Sequence, residues 1–316
     1  VSPGVAIKVF RRYGVGAVEA VRANPYRLAE EIFGVGFLTA DRIARQLGVP
    51  EDSPERREAG ILHTLREAAG GQGHVYLPED ELLAAAGQLL GAESAALGAA
   101  LAGLAARQQV RVAARGDEVA AVYLPRLEQA EARTAADLLA VLAAPASGEP
   151  VMVDLAVAWF QAQSRLRLAS GQRRALAVAL HDKVAVITGG PGTGKTTLVR
   201  GLVQILERKG ARLALAAPTG RAAKRLSEAT GQPAKTIHRL LEYNPANHGF
   251  NRRRENPIEA DCLVVDEVSM LDIELASSLL EAVPPGCRLV LVGDSDQLPS
   301  VGPGNVLADL IASGRV

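Results

Sequence analysis

The sequence predicts an α/β fold for its second half, a parallel sheet flanked by helices, behind a mainly α-helical first half. Three observations carry this. Apolar runs at 184–188, 212–217, 262–266 and 288–293 are separated by helical periodicity, the alternation that builds a parallel sheet. The loop after the first run, Gly189-Gly190-Pro191-Gly192-Thr193-Gly194-Lys195-Thr196, fits the pattern G-x-x-x-x-G-K-[ST]. Before residue 145, Ala- and Leu-rich helical patterns dominate and a single hairpin, 110–124, interrupts them.

Composition narrows the class. The chain has 316 residues, room for about two domains. Lys+Arg and Asp+Glu balance at 35 each, so whole-chain charge points to no nucleic-acid partner and local charge must carry that argument. Cys262 and Cys287 both border apolar runs and read as buried thiols of a reducing, cytoplasmic protein. No apolar run approaches the ~18 residues of a membrane span, and no signal peptide is visible. The sequence starts at Val1 without methionine and stops at Val316 just after a helix, which reads as an excerpt of a longer protein.

The opening 50 residues hold seven basic and four acidic side chains, a mild local excess. A short helix precedes the turn Gly34-Val35-Gly36, and an amphipathic helix follows it. This arrangement resembles the helix-hairpin-helix family, which binds nucleic-acid backbones without reading sequence. The resemblance implies that the turn at Gly34 and Gly36 presents backbone N–H groups to a phosphate. A hairpin used only for packing is the alternative. A weaker copy is expected at Ser2-Pro3-Gly4-Val5, and Tyr13-Gly14-Val15-Gly16 opens another helix. Two or three further helices over 55–108, followed by the hairpin around Arg115-Gly116-Asp117, suggest a small winged-helix-like module. A helix over 129–142 precedes the Pro-bracketed boundary at 143–150.

In the second half, glycines let the loop backbone wrap a phosphate, and the helix from Thr197 adds the positive end of its dipole. Lys195 reaches the β- and γ-phosphates, the Thr196 hydroxyl can hold magnesium, and Gly190 to Thr197 form the cradle. The third run delivers Asp266-Glu267, a Walker B arrangement: Asp266 anchors magnesium through its water shell, and Glu267 orients and deprotonates the attacking water. The second run ends at Pro218-Thr219-Gly220-Arg221, whose hydroxyl and N–H groups open a helix and face outward as a second phosphate contact. His238 follows within Thr236-Ile237-His238-Arg239. Arg252-Arg253-Arg254 reads as a solvated charge run rather than a DNA contact. The fourth run ends in Gly293-Asp294-Ser295-Asp296-Gln297, where Gln297 can sense a γ-phosphate and the Pro/Gly stretch 299–304 can relay that state to a surface groove.

GGPGTGKTT, APTGRAAKRL, TIHRLL, VVDEVSM and GDSDQLPSVGPG, in this order, resemble the first RecA-like motor domain of superfamily 1 DNA helicases, in their RecD branch. The helical first half is similar to the extension of the stand-alone RecD-type helicases. The resemblance implies a DNA-stimulated ATPase that uses ATP and Mg2+. It would move 5′ to 3′ on single-stranded DNA and unwind duplex at single-strand/double-strand junctions, with repair or replication proteins as further partners. It also implies that Gln172 reads adenine, for which a side-chain amide has the matching donor and acceptor, and that Pro218, Thr219, Gly220, Arg221 and His238 line the DNA path. The expected domains are 1–145, helical, and 151–316, motor. The family's second motor domain, which supplies the arginine fingers, has no counterpart in this sequence, so residues 1–316 alone are expected to hydrolyse ATP slowly. The competing reading is a DNA-binding adaptor whose nucleotide site only switches conformation; a phosphate-loop kinase finds no support, since no lid or acceptor pocket is legible.

Overall fold

The computed structural model describes residues 3–116, 118–148, 151–297 and 300–316. Ser2, Asp117 of the expected hairpin turn, Glu149-Pro150 of the expected boundary and Leu298-Pro299 of the fourth signature lie outside the described residues. The chain divides into two compact units, Val1–Glu128 and Gln129–Val316.

The first unit opens with α1 (Pro3–Tyr13), α2 (Ala17–Ala23), α3 (Arg27–Glu31) and α4 (Phe37–Gln46). Pro3 to Tyr13 is one continuous helix. The expected weak hairpin copy at Ser2–Val5 is therefore absent from its described part: Pro3 and Gly4 sit in the first turn of a helix, where proline is tolerated. The expected turn at Gly34–Gly36 does join α3 to α4, and Tyr13–Gly16 joins α1 to α2 through one turn of 3-10 helix.

Next come α5 (Pro54–Gln72), β1 (Tyr76–Pro78), α6 (Glu79–Leu90), α7 (Ser94–Ala106), β2 (Arg111–Arg115) and β3 (Glu118–Tyr123). The strands form one antiparallel sheet in the order β1-β3-β2. Helix, strand, two helices and a hairpin is the layout of a winged-helix module. Ser53 caps α5 by accepting from Arg56 N at 3.2 Å, with Pro54 in the first helical position. Taken as a bent pair, α6 and α7 are apolar enough to mimic a broken span, but Leu82, Ala86, Leu97, Leu101 and Leu104 are buried within the protein. Among the described residues, no single helix is long and apolar enough to cross a membrane.

A polar cluster locks the hairpin region onto α5. Asp41 Oδ1 accepts from Tyr26 Oη at 2.8 Å and from Arg56 Nε at 2.8 Å, and Asp41 Oδ2 accepts from Arg45 Nε at 3.2 Å. Arg56, only 3% exposed, also donates through Nη1 to the carbonyl oxygens of Glu51 and Leu90, each at 3.0 Å. A buried guanidinium is tolerated because its donors are met by a carboxylate and two carbonyls.

The division between the units falls within α8 (Pro125–Ala143). This is earlier than the Pro-bracketed stretch suggests, because the distal part of α8 belongs with the second unit: Asp137 pairs with Arg254, Leu138 and Leu142 line an apolar groove with Ile273 and Leu310, and Ser147 N donates to Gly286 O at 2.8 Å.

The second unit continues with α9 (Val153–Ser164), α10 (Ser170–His181), β4 (Val184–Thr188), α11 (Lys195–Arg208), β5 (Leu213–Ala217), α12 (Gly220–Thr230), β6 (Ala234–Thr236) and α13 (Ile237–Leu240). A small hairpin, β7 (Tyr243–Asn244) with β8 (Gly249–Phe250), precedes β9 (Cys262–Val265), α14 (Ile273–Glu281), β10 (Arg288–Gly293) and α15 (Val306–Ser313). The sheet is wholly parallel in the order β4-β10-β9-β5-β6. All four expected strands are present, with β6 as an additional edge.

The order places β10 between the strand of the phosphate loop and that of Asp266-Glu267. The central strands are buried on both faces, which is why they read as unbroken apolar runs. On one face, Phe160 of α9, Leu176 and Leu180 of α10, and Leu198, Leu202 and Ile205 of α11 pack on Ala185, Ile187, Val264, Val290 and Val292. Each fully buried Leu or Phe there contributes about 1.5–3 kcal/mol relative to exposure.

Candidate nucleotide site and nucleic-acid contacts

Parallel strands that share one direction bring their carboxyl ends to one edge of the sheet, where open α/β sheets hold ligands. That edge carries Gly189 after β4, Asp294 after β10 and Asp266 after β9. The phosphate loop occupies 189–194, and α11 starts at Lys195. Gly194 has φ +90°, and a Cβ there would collide with the Gln172 side-chain amide, so only glycine fits. Thr193 Oγ1 donates to Gly190 O at 2.9 Å and closes the loop on itself.

Lys195 is 18% exposed. Its ammonium donates to Gly189 O and, at 3.1 Å, to Gly190 O, and it lies 3.8 Å from Asp294 Oδ2. The same cation pulls on the carboxyls of Asp266 and Glu267, so the structure brings together Lys195, Asp266, Glu267 and Asp294.

Burial drives both Walker B carboxyls above their usual range. For Asp266, the Glu267 N–H and Lys195 oppose the rise. For Glu267, the neighbouring Asp266 charge adds to burial, while Lys195 and Arg225 oppose it. Glu267 N donates to Asp266 Oδ1 at 2.9 Å, and Asp266 N donates to Ala216 O at 2.9 Å. Glu267 itself has φ +55°, a left-handed backbone that costs a non-glycine residue roughly 1–2 kcal/mol. The strain turns the chain directly after Asp266, so two consecutive residues put their carboxyls toward Lys195.

Asp266 Oδ2 and Thr196 Oγ1 accept no hydrogen bond from the described residues, and no cluster of three or more His, Cys, Asp or Glu side chains suited to a metal occurs among them. This donor set fits magnesium, an ion held by one or two protein oxygens with phosphates and waters filling its shell.

Gln297 reaches the site through Asp294: its Nε2 donates to Asp294 Oδ2 at 3.3 Å, and its backbone N to Asp294 O at 3.2 Å. Gln172 lies against the loop as well. Its Nε2 donates to Thr193 O at 2.9 Å, and its Oε1 accepts from Ala169 N at 3.0 Å. One amide hydrogen and one lone pair remain for a base.

The remaining expected residues sit apart from this cluster. Thr219 caps α12, its Oγ1 accepting from Ala222 N at 3.2 Å. Its hydroxyl was expected to face outward; one lone pair is in fact engaged in capping, and the hydroxyl hydrogen is what remains for a phosphate. Arg221 is exposed and makes no ion pair among the described residues. His238 is exposed and packs against Tyr243 and Phe250, with ring centroids 5.8 and 5.6 Å away. The arginine run is paired: Arg252 with Glu242 and Glu259, Arg253 with Glu255, and Arg254 with Asp137.

In the first unit, Gly36 precedes α4 without a side-chain cap, and the N–H groups of Phe37 and Leu38 find no acceptor among the described residues. Phe33 in the same turn is 98% exposed, and its carbonyl accepts from Lys8 Nζ at 2.9 Å. Cys262 and Cys287 are free and buried, their thiols pushed up by burial to about 12 and about 11, so neither is reactive. Sequence reasoning gave no role to Asp294, for which the pattern Gly-Asp-x-x-Gln at a strand end was the available signal; Arg225, read with Arg221 and Lys224 as part of the second phosphate contact, also acts on Glu267.

Comparison with known proteins places these features. Residues 1–76 match the family model of the ATP-dependent RecD2 DNA helicase HHH domain, and residues 172–303 match an AAA domain. The chain is 36% identical over 309 residues to the ATP-dependent RecD2 DNA helicase of Deinococcus radiodurans, over 95% of this chain and 42% of that protein. It is 42% identical over 215 residues to the RecBCD enzyme subunit RecD of Mycolicibacterium smegmatis, over 60% of this chain and 37% of that protein. The ATP-dependent DNA helicase dda of Enterobacteria phage T4 is 38% identical over 148 residues, 43% of this chain and 34% of that one. The chain thus spans less than half the length of these curated relatives. It is a relative of the RecD-type DNA helicases that carries a RecD2-type helix-hairpin-helix region ahead of a RecA-like phosphate-loop domain.

Proposed function

We propose that the second unit is the ATP-hydrolysing motor of a DNA helicase and that the first unit holds nucleic-acid backbone. The observation that carries this is the convergence of Lys195 with the half-buried carboxyls of Asp266 and Glu267 at the edge of a parallel sheet. Lys195 leaves its loop carbonyls for the β- and γ-phosphates. Thr196 and Asp266 hold Mg2+, which neutralises phosphate charge when bound. Glu267, made more basic by burial, takes the proton of the attacking water as the β–γ bridging P–O bond breaks. Gln297 senses the γ-phosphate, and Gln172 uses its remaining donor and acceptor for adenine.

Single-stranded DNA would run past Pro218, Thr219, Gly220 and Arg221 and past the aromatic group around His238. The free amides of Phe37 and Leu38, which follow Gly36 in the turn that Gly34 opens, would contact a further phosphate. A 5′–3′ polarity, unwinding at junctions, cooperation with repair or replication proteins and a cytoplasmic setting belong to the same proposal and rest on family resemblance.

A switch-only adaptor needs no water-activating carboxylate, and the placement of Glu267 next to Asp266 and near Lys195 disfavours it. The test is the ATPase rate of the intact protein with and without single-stranded DNA, alongside Lys195→Ala. DNA stimulation that Lys195→Ala abolishes is the expected result; a rate indifferent to DNA would overturn the motor reading.

A further inference from the structure

Asp294 is 1% exposed and follows Gly293 at the end of β10. A Cβ on Gly293 would lie 2.7 Å from Leu307 Cδ2, 3.3 Å from Ser269 N and 3.5 Å from Val268 N, so the strand end is clamped between α15 and the turn that follows Glu267. The Asp294 carboxylate therefore has little freedom and no access to bulk water. Its donors are few: Asp296 N at 3.1 Å on Oδ1, and on Oδ2 Gln297 Nε2 at 3.3 Å together with the Lys195 ammonium at 3.8 Å. One oxygen thus joins the lysine that meets phosphate to the glutamine expected to sense it.

We infer that Asp294 is a positioning residue, the counter-ion of Lys195, and that it exchanges this lysine for a tighter hold on residues 294–297 when nucleotide arrives. The inference rests on the nucleotide-site reading above. In this structure Lys195 is held by two loop carbonyls and by Asp294. A nucleotide's phosphates compete for the same ammonium. A buried carboxylate that loses a cation must be satisfied by its remaining donors, and here these are Asp296 N–H and the Gln297 side chain. Occupancy of the loop after β4 is thereby converted into tension on 294–297, with no residue between the two.

The geometry makes opposite demands on binding and turnover. Asp294 opposes nucleotide binding, because Lys195 must be drawn from it, and favours turnover, because it orients Gln297. Asp294→Asn keeps the shape and the acceptor for Asp296 N while removing the charge. In the intact protein, this variant is expected to bind Mg-ADP about three- to tenfold tighter. Its DNA-stimulated kcat is expected to fall about tenfold or more.

A residue that only supported the fold would weaken both quantities. The tightening must also vanish in a Lys195→Ala background, whereas a general loss of negative charge near the phosphates would tighten binding in either background. In the unaltered protein, the Asp296 amide should exchange with solvent more slowly once ADP is bound, a measurement that needs no variant to fold. Asp294→Asn that binds no tighter, tightening that survives without Lys195, or unchanged exchange at Asp296 overturns the inference. Wild-type protein that takes up no nucleotide would instead overturn the nucleotide-site reading and remove this one with it.

Discussion

Gln172 Nε2 donates to the carbonyl oxygen of Thr193 at 2.9 Å, so the glutamine expected to read adenine is also a strut of the phosphate loop. Ala169 N, at 3.0 Å from Oε1, fixes the other end of the same amide. Replacing Gln172 with Ala removes both functions. A glutamine that only read the base would weaken ATP and leave GTP unaffected. The strut predicts that Gln172→Ala weakens both, by about 5- to 30-fold for ATP, the equivalent of one or two hydrogen bonds at about 1–2 kcal/mol. Parallel titrations with the two nucleotides check this, and an unchanged GTP affinity would remove the strut.

Glu267 offers a second separation of binding from chemistry. Its strained backbone and raised basicity suit a proton acceptor, and Gln keeps its size without that capacity. Glu267→Gln is expected to retain nucleotide affinity within a few-fold while DNA-stimulated hydrolysis drops by about 10²–10⁴. Single-turnover hydrolysis together with nucleotide titration measures the two quantities, and a variant that still hydrolyses at the original rate would move the general base elsewhere.

How much of this was legible beforehand follows from burial. The strands β4, β9 and β10 announced themselves because both faces are buried and the residues are apolar without interruption. The edge strand β6, Ala234-Lys235-Thr236, has no such run and was invisible. The phosphate loop and Asp266-Glu267 were readable as local patterns, since backbone geometry there is set by neighbours in sequence. Asp294 was not, because its role depends on a lysine about a hundred positions away and on Leu307 clamping the strand end. The arginine run was ambiguous for the same reason: the carboxylates that pair with it come from as far away as Asp137.

That pairing yields a prediction about DNA contact. Arg221 is exposed and makes no ion pair among the described residues, whereas Arg252 is tied to Glu242 at 2.8 Å and to Glu259 at 3.0 Å. Arg221→Ala should weaken single-strand binding and reduce the slope of log affinity against log salt by about 0.7, the loss of one phosphate contact on a single strand. Arg252→Ala should leave that slope unchanged and act, if at all, on the local stability of 242–259. Fluorescence anisotropy over a salt series distinguishes them, and equal slopes for Arg221→Ala and wild type would exclude Arg221 from the backbone track.

The first unit supplies a prediction about acid stability. Burial raises the Asp41 carboxyl, but its hydrogen bonds from Arg56 and Tyr26 outweigh that effect and hold it below its ordinary 3.8. A folded carboxyl that titrates lower than the unfolded one binds fewer protons, so its contribution to stability is complete above about pH 4 and fades as pH falls through the lowered folded value. Asp41→Asn leaves the Arg56 guanidinium, 3% exposed, without a counter-charge and should cost about 3–5 kcal/mol near neutral pH. Urea unfolding followed by hydrogen exchange over residues 26–90 would show the loss confined to this unit, with the gap between wild type and variant narrowing below about pH 4. Arg56→Met in the Asp41→Asn background removes the stranded charge and should restore part of the stability. A double variant no more stable than Asp41→Asn would show that the carboxylate contributes through packing, not through its charge.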